Sequence, residues 1–106
     1  MSFRFASDEE AEARMRSGRV VLWFSSPACP PCRKVEPRAE RVARAYADGV
    51  SFLRINVEKG TALAEKLGIS SVPTFVFVRD GRELRRLEGV ASEEVLEAAV
   101  RELLQG

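Results

Sequence analysis

Five apolar residues in succession, Val20-Val21-Leu22-Trp23-Phe24, interrupt a chain that is otherwise mixed in polarity. A continuous apolar run without alternation predicts a strand inside a sheet that is covered on both faces. Upstream, a short extended start at Phe3 to Phe5 precedes a helix in which Ser7 and Glu10 form a capping-box pattern and Gly18 supplies the stop. From Pro30 to about Asp48 the apolar positions Val35, Ala39, Val42 and Tyr46 fall on one helical face, with Gly49 at the C-terminal end. Pro37 interrupts that pattern and predicts a bend of architectural meaning. Phe52, Leu53, Ile55 and Val57 mark a second strand reached through a helix, so the two strands should be parallel with a right-handed crossover. A short helix is expected from Thr61, as its cap, to Leu67, with Gly68 ending it. Ser71-Val72-Pro73-Thr74 then leads into Phe75-Val76-Phe77-Val78, the turn Asp80-Gly81 and a strand around Leu84 to Leu87, an antiparallel hairpin. The last helix begins near Ser92, with Glu93 and Glu94 in its first turn and Val95, Leu96, Ala99, Val100, Leu103 and Leu104 on its buried face.

These elements alternate between strand and helix, and no repeat or linker divides them. With 106 residues, 45% of them hydrophobic, residues 1–106 form one domain able to bury a single core. Seventeen Lys and Arg against 16 Asp and Glu leave a formal charge of +1. The charges are mixed along the chain, so neither a nucleic-acid surface nor an anionic-membrane surface is expected. The N-terminal segment turns acidic where a signal peptide would be apolar, and no run approaches a membrane span, so the expected location is the cytosol. Three lysines among 17 basic residues hint at thermal adaptation or at base composition, and no functional reading rests on them. A monomer is the default.

The candidate chemistry lies directly after the first buried strand. Cys29-Pro30-Pro31-Cys32 contains both cysteines of the chain, three apart, at the predicted start of a helix. There the unpaired N–H groups and the positive end of the helix dipole favour a thiolate on the first cysteine. Two cysteines one helical turn apart can approach closely enough to form a disulfide. Reversible thiol chemistry is the leading reading, and a reducing cytosol favours a catalytic over a structural pair. A zinc site needs four nitrogen or sulfur ligands, and the chain has no histidine and no third cysteine, so only a site shared between chains would serve. A purely stapling disulfide is the other alternative, but so short a loop restricts the unfolded chain little.

Together the order of elements, the strand followed by C-x-x-C, Pro37 five positions after Cys32, Val72-Pro73-Thr74, Asp80-Gly81 and Gly89 resemble the thioredoxin family over nearly the whole chain. The resemblance implies an α/β thioredoxin fold, a central mixed sheet flanked by helices, with the dithiol at the N-terminus of the second helix. It also implies that Pro73 is a cis-proline beside the dithiol, although from the residues alone a trans proline opening a strand is the commoner arrangement. Ser71 and Val72 would then dock an extended client segment, helped by Gly89 and Val90, with Ala28 and Pro30 on the rim. The implied activity is protein disulfide exchange, with no cofactor. Cys29 attacks a client disulfide to give a mixed disulfide, and the more buried Cys32 attacks Cys29 to release the client. The implied partners are disulfide-containing proteins and thioredoxin reductase.

The chain departs from the family's pattern where proton transfer is concerned. Six positions before the first cysteine the family usually carries a buried aspartate, and this chain has Trp23. Tryptophan cannot act as a base, so Cys32 must lose its proton to water, to a group elsewhere such as Glu58, or during client binding. Arg54 stands at the family's lysine position on the neighbouring strand. It is expected to face either the thiols or solvent, with solvent favoured because arginine is rarely fully buried. The expectation is slower resolution of the mixed disulfide. Ala28 replaces a tryptophan, and Pro30 replaces a glycine. Pro30 and Pro31 both lack an N–H and so remove donors from the Cys29 thiolate. Cys-Pro-Pro-Cys-Arg with a proline close behind also resembles the membrane-anchored thioredoxin-like reductases of cytochrome c maturation. A third reading, from a different class, is a redox-sensing or interaction module without turnover.

Overall fold

The computed structural model describes residues 3–60 and 62–105. Along the chain run β1 (Arg4–Phe5), α1 (Asp8–Met15), β2 (Arg19–Ser25), α2 (Pro30–Ala45), β3 (Ser51–Asn56), α3 (Ala62–Lys66), β4 (Thr74–Arg79), β5 (Arg82–Glu88) and α4 (Glu93–Leu104). The five strands form one sheet in the order β1-β3-β2-β4-β5. β3 is parallel to both β1 and β2, β4 is antiparallel to β2, and β5 is antiparallel to β4. The parallel β2–α2–β3 crossover and the β4–β5 hairpin are both as the sequence predicts.

The sheet separates two apolar layers. On one face Val21, Trp23, Phe52, Phe75 and Phe77 pack against Val35, Ala39 and Val42 of α2 and Leu96, Val100 and Leu103 of α4. On the other, Leu22, Phe24, Leu53, Ile55, Val76 and Val78 meet Ala11 of α1 and Leu63 and Ala64 of α3. β2 is therefore apolar at consecutive positions because each alternate side chain has its own layer to fill. β5, at the sheet edge, carries Arg82, Glu83, Arg85, Arg86 and Glu88, charges that discourage pairing with another chain's strand.

Local chemistry sets the ends of these elements. Ser7 Oγ accepts the Glu10 N–H at 3.1 Å, and Ser92 Oγ accepts the Val95 N–H at 3.2 Å, each closing a helix start. The β4–β5 loop needs positive φ at both central residues, +50° at Asp80 and +82° at Gly81, as a two-residue hairpin turn demands. Asp80 Oδ1 also accepts the Gly18 N–H at 2.7 Å, tying the hairpin to the entry of β2.

Two expectations need adjustment, and a third falls on a residue that is not described. α2 continues through Pro37 and ends at Ala45 with Tyr46 as its cap, short of Asp48. Val95 is 46% exposed, not part of the buried face. At about 100° per residue it lies outside the stripe formed by Leu96, Ala99, Val100 and Leu103, while Leu104 sits half-buried at the opposite margin. The cap expected at Thr61 lies outside the described residues.

Candidate active site

β2 ends at Ser25, and a three-residue loop carries the chain to Cys29, the N-cap of α2. Cys29 and Cys32 are joined as a disulfide with their Cα atoms 5.2 Å apart. Their environments differ. Cys29 is 8% exposed, among Ala28, Pro30 and Pro31, which are open to solvent, whereas Cys32 is 0% exposed. An incoming group can meet only the first sulfur.

The prolines at the first two helical positions have no N–H to offer, so the first amide facing the cap is that of Cys32. Its N–H reaches Cys29 Sγ at 3.2 Å and the Cys29 carbonyl oxygen at 3.1 Å. Two donors are lost to proline, as the sequence implies, and one is kept. On the other side, Cys29 Sγ lies 3.6 Å from the carbonyl oxygen of Val72. The Val72–Pro73 peptide bond is cis. Ser71 is exposed, Val72 is half-buried and Pro73 is buried, so the main chain before the proline borders the dithiol at the surface. The Pro73 carbonyl accepts the Gly89 N–H at 2.9 Å, which brings Gly89 and the exposed Val90 to the same rim. Arg38 Nη1, on α2, donates to the Ala91 carbonyl at 3.0 Å and holds that loop against the helix. Nothing in the sequence singles out Arg38 from the other arginines of the polar face.

In the sheet, register partners across four strands form the row Phe5, Arg54, Trp23, Phe75. Trp23 is fully buried, stacked on Phe75 at 5.4 Å and met edge-on by Phe3 at 5.2 Å. Its indole Nε1 has no hydrogen-bond partner among the described residues. The guanidinium carbon of Arg54 lies 4.0 Å from the Trp23 ring centroid and 5.0 Å from that of Phe5. The solvent orientation favoured for Arg54 is therefore incorrect, since its side chain is only 14% exposed. Two aromatic rings accept the flat cation, and its Nε and Nη1 donate to Ser25 Oγ and Glu36 Oε2, each at 2.9 Å. Glu36 was not singled out by sequence reasoning, although its place four residues after Cys32 was a usable signal.

Glu58 is exposed, and its carboxylate is bonded to the Ser26 hydroxyl. Ser26 Oγ in turn accepts the Ala28 N–H at 3.2 Å, so Glu58 braces the loop that enters the dithiol. A surface hollow of about 590 Å³ is lined by residues such as Phe5, Asp8, Asn56 and Lys59, and neither cysteine lines it. The dithiol lies outside it, beside the exposed Ala28, Pro30 and Pro31.

One sulfur within reach, a second sealed below it and an amide poised on the first make up a device for taking and returning two electrons. The class that this fold and site define is that of the protein disulfide oxidoreductases. A sequence model of the thioredoxin family matches residues 4–102. Thioredoxin of Alicyclobacillus acidocaldarius subsp. acidocaldarius is 35% identical over 86 residues, 81% of this chain and 82% of its own length. Thioredoxin 1 of Synechococcus elongatus is 31% identical over 77 residues, covering 73% of this chain and 72% of that protein. The crystal structure of thioredoxin from Trypanosoma brucei brucei superposes with a TM-score of 0.90 over 99% of this chain and 93% of that one, at 23% identity, a correspondence of fold. The chain belongs to the thioredoxin family. Among the described residues, no helix is long and apolar enough to cross a membrane.

Proposed function

We propose that the protein reduces disulfides in client proteins through a mixed disulfide on Cys29, which Cys32 then resolves. The observation that carries this reading is the asymmetry of the pair. Of the two, Cys29 holds the accessible sulfur, receives the Cys32 N–H and faces the Val72 carbonyl, while Cys32 is sealed. In the reduced protein the Cys29 thiolate attacks one sulfur of the client disulfide, forming one S–S bond and expelling the other client sulfur as a thiolate. The Cys32 thiol loses its proton, and its sulfur attacks Cys29 Sγ. The client leaves with both sulfurs reduced, and the pair returns to the disulfide, with two electrons transferred. Ser71, Val72, Gly89 and Val90 form the docking rim with Ala28 and Pro30, where backbone groups before Pro73 can pair with an extended client strand. Turnover requires a dithiol donor, for which thioredoxin reductase is the family's partner, and a reducing compartment such as the cytosol, with the protein acting as a monomer.

The test uses a disulfide-bonded protein such as insulin. Cys32→Ser should accumulate a covalent adduct through Cys29 that dithiothreitol releases, and Cys29→Ser should form none. An intact wild type that takes up one oxidising event and never turns over with a reductant would instead establish a sensor. The potential of the pair separates the remaining readings. A value near about −270 mV, typical of thioredoxins, supports a reductase, and one nearer about −180 to −120 mV supports an oxidant or isomerase. A requirement for apocytochrome as client would favour the cytochrome c maturation alternative.

A further inference from the structure

We infer that Arg86, paired with Glu83 on β5, is a positioning residue for client docking, because it holds the end of α3 from which the segment before Pro73 sets out. This inference rests on the disulfide-exchange reading above, in which the main chain before Pro73 receives an extended client segment.

The pair exists because β5 is irregular. Residues three apart in an unbroken strand point to opposite faces. Here Arg85 lies opposite Phe77 and Glu83 opposite Val78, consecutive residues of β4, so Leu84 is left over as a bulge. Glu83 and Arg86 then meet as a fork, with Arg86 Nε donating to Glu83 Oε2 and Nη2 to Glu83 Oε1, each at 2.9 Å. The same guanidinium reaches past β5 to α3. Nη2 donates to the Leu67 carbonyl at 2.7 Å, and Nη1 donates to the Gly68 carbonyl at 3.4 Å.

α3 needs such a hold. It has five residues, too few for a helix to be stable alone. Its C-terminal end is closed from within: the Gly68 N–H donates to the Glu65 carbonyl at 3.1 Å and the Ile69 N–H to the Ala64 carbonyl at 2.8 Å, with Gly68 at φ +71°. The Leu67 and Gly68 carbonyls stand beyond that closure, at the negative end of the helix, where a guanidinium is a matched partner. Ile69, Ser70 and Ser71 separate this clamp from Val72, whose carbonyl oxygen lies 3.6 Å from Cys29 Sγ. Ser70 and Ser71 are exposed, and among the described residues no hydrogen bond occupies the N–H of Ser70, Ser71 or Val72. These are donors that an incoming strand can take. Hydrogen bonds hold the segment at its two ends, through Arg86 before it and through Thr74, whose hydroxyl donates to the Ser71 carbonyl at 2.7 Å. A client therefore meets a segment already in place and does not have to order it on docking.

The experiment measures insulin reduction by the whole protein with dithiothreitol as reductant. Beside it run the reaction of the reduced protein with Ellman's reagent, a small disulfide that needs no docked strand, and amide hydrogen exchange followed by NMR. Arg86→Met keeps the side-chain length and loses the donors. It should raise the KM for insulin about tenfold, equivalent to ordering about one further residue on docking, with kcat and the Ellman rate unchanged. Amide exchange at Gly68 and Ile69 should quicken about tenfold in the same variant. Arg86→Lys can reach a carbonyl but cannot form the fork, so it should recover part of both effects, and Glu83→Gln should show a smaller shift in the same direction as Arg86→Met. If Arg86→Met does not fold, Arg86→Lys and Glu83→Gln decide the matter. An unaltered KM in the folded variants overturns the inference. So does a raised KM with amide exchange unchanged, since Arg86 would then meet the client itself, and so does a slowed Ellman reaction, which would place the effect at Cys29. A wild type that does not reduce insulin would refute the disulfide-exchange reading, a result distinct from any of these.

Discussion

Trp23 offers the sharpest test of how the site is built, because it fills a buried position of the active-site strand with a ring whose polar atom is unmatched. Its side chain has no exposed surface, stacks on Phe75, meets Phe3 edge-on and carries the Arg54 guanidinium. A tryptophan buries up to about 250 Å². At about 25 cal/mol per Å² the full side chain is worth about 6 kcal/mol, and truncation to alanine typically costs about 3–5 kcal/mol. Trp23→Phe keeps a ring for Phe75 and Arg54 and deletes the indole N–H, whose unmet hydrogen bond costs about 1–3 kcal/mol in the parent. That gain offsets most of the lost volume, so Trp23→Phe should lie within about 1 kcal/mol of the parent. Trp23→Asp loses the ring but places a carboxylate beside Arg54, and it should fall between Phe and Ala in stability. It should also change the rate at which Cys32 releases a bound client. The assay is urea unfolding of the oxidised proteins followed by far-ultraviolet circular dichroism, since the chain has a single tryptophan and the variants lose its fluorescence. With a slope of about 2 kcal/mol per M, the alanine variant should unfold at about 2 M lower urea. Equal losses for Trp23→Phe and Trp23→Ala would refute the view that ring contacts hold this position. An unchanged client-release rate in a folded Trp23→Asp would remove Trp23 from any account of resolution.

Two other expectations concern the rim and the surface charges. Arg38→Met keeps the side-chain length and removes the bond to the Ala91 carbonyl, so the KM for a protein client should rise about fivefold, equivalent to about 1 kcal/mol, with kcat and the reaction with Ellman's reagent unchanged; an unaltered KM would show that the loop holds its place without Arg38. The Glu12 carboxyl is held below its usual range by its hydrogen bond and charge pairing with Lys66, and the Glu102 carboxyl by its hydrogen bond to Arg85. A carboxyl lowered on folding contributes stability that is complete above the ordinary carboxylate range and is lost as pH falls through the folded value. Thermal unfolding from about pH 6 to pH 2.5 should therefore show the parent's small advantage over Glu12→Gln and Glu102→Gln vanish in acid, and shrink in high salt because both sites are exposed. An advantage that persisted in acid would assign it to something other than charge.

What could be read from the chain alone was whatever depends on near neighbours in sequence. Consecutive apolar residues at 20 to 24, a capping box at Ser7, Asp80-Gly81 between two β-rich runs and a dithiol before a helical stripe are local patterns. Each favours one local conformation, and the element order, the hairpin and the pairing of Cys29 with Cys32 agree with them. Even the loss of two amide donors at Pro30 and Pro31 was legible, although the survival of the Cys32 N–H as a partner for Cys29 Sγ appears only when the cap is built. Arg54 marks the limit. Its type and position say only that a long cation leaves β3, and solvent is the reasonable destination for such a group. Its actual partners come from three separate elements: Trp23 and Ser25 from β2, Glu36 from α2 and Phe5 from β1. Spacing along one element cannot report that convergence, because it depends on which strands the sheet brings together and on the height at which α2 crosses them. The dithiol was therefore determined by sequence, and the place of Arg54 by packing.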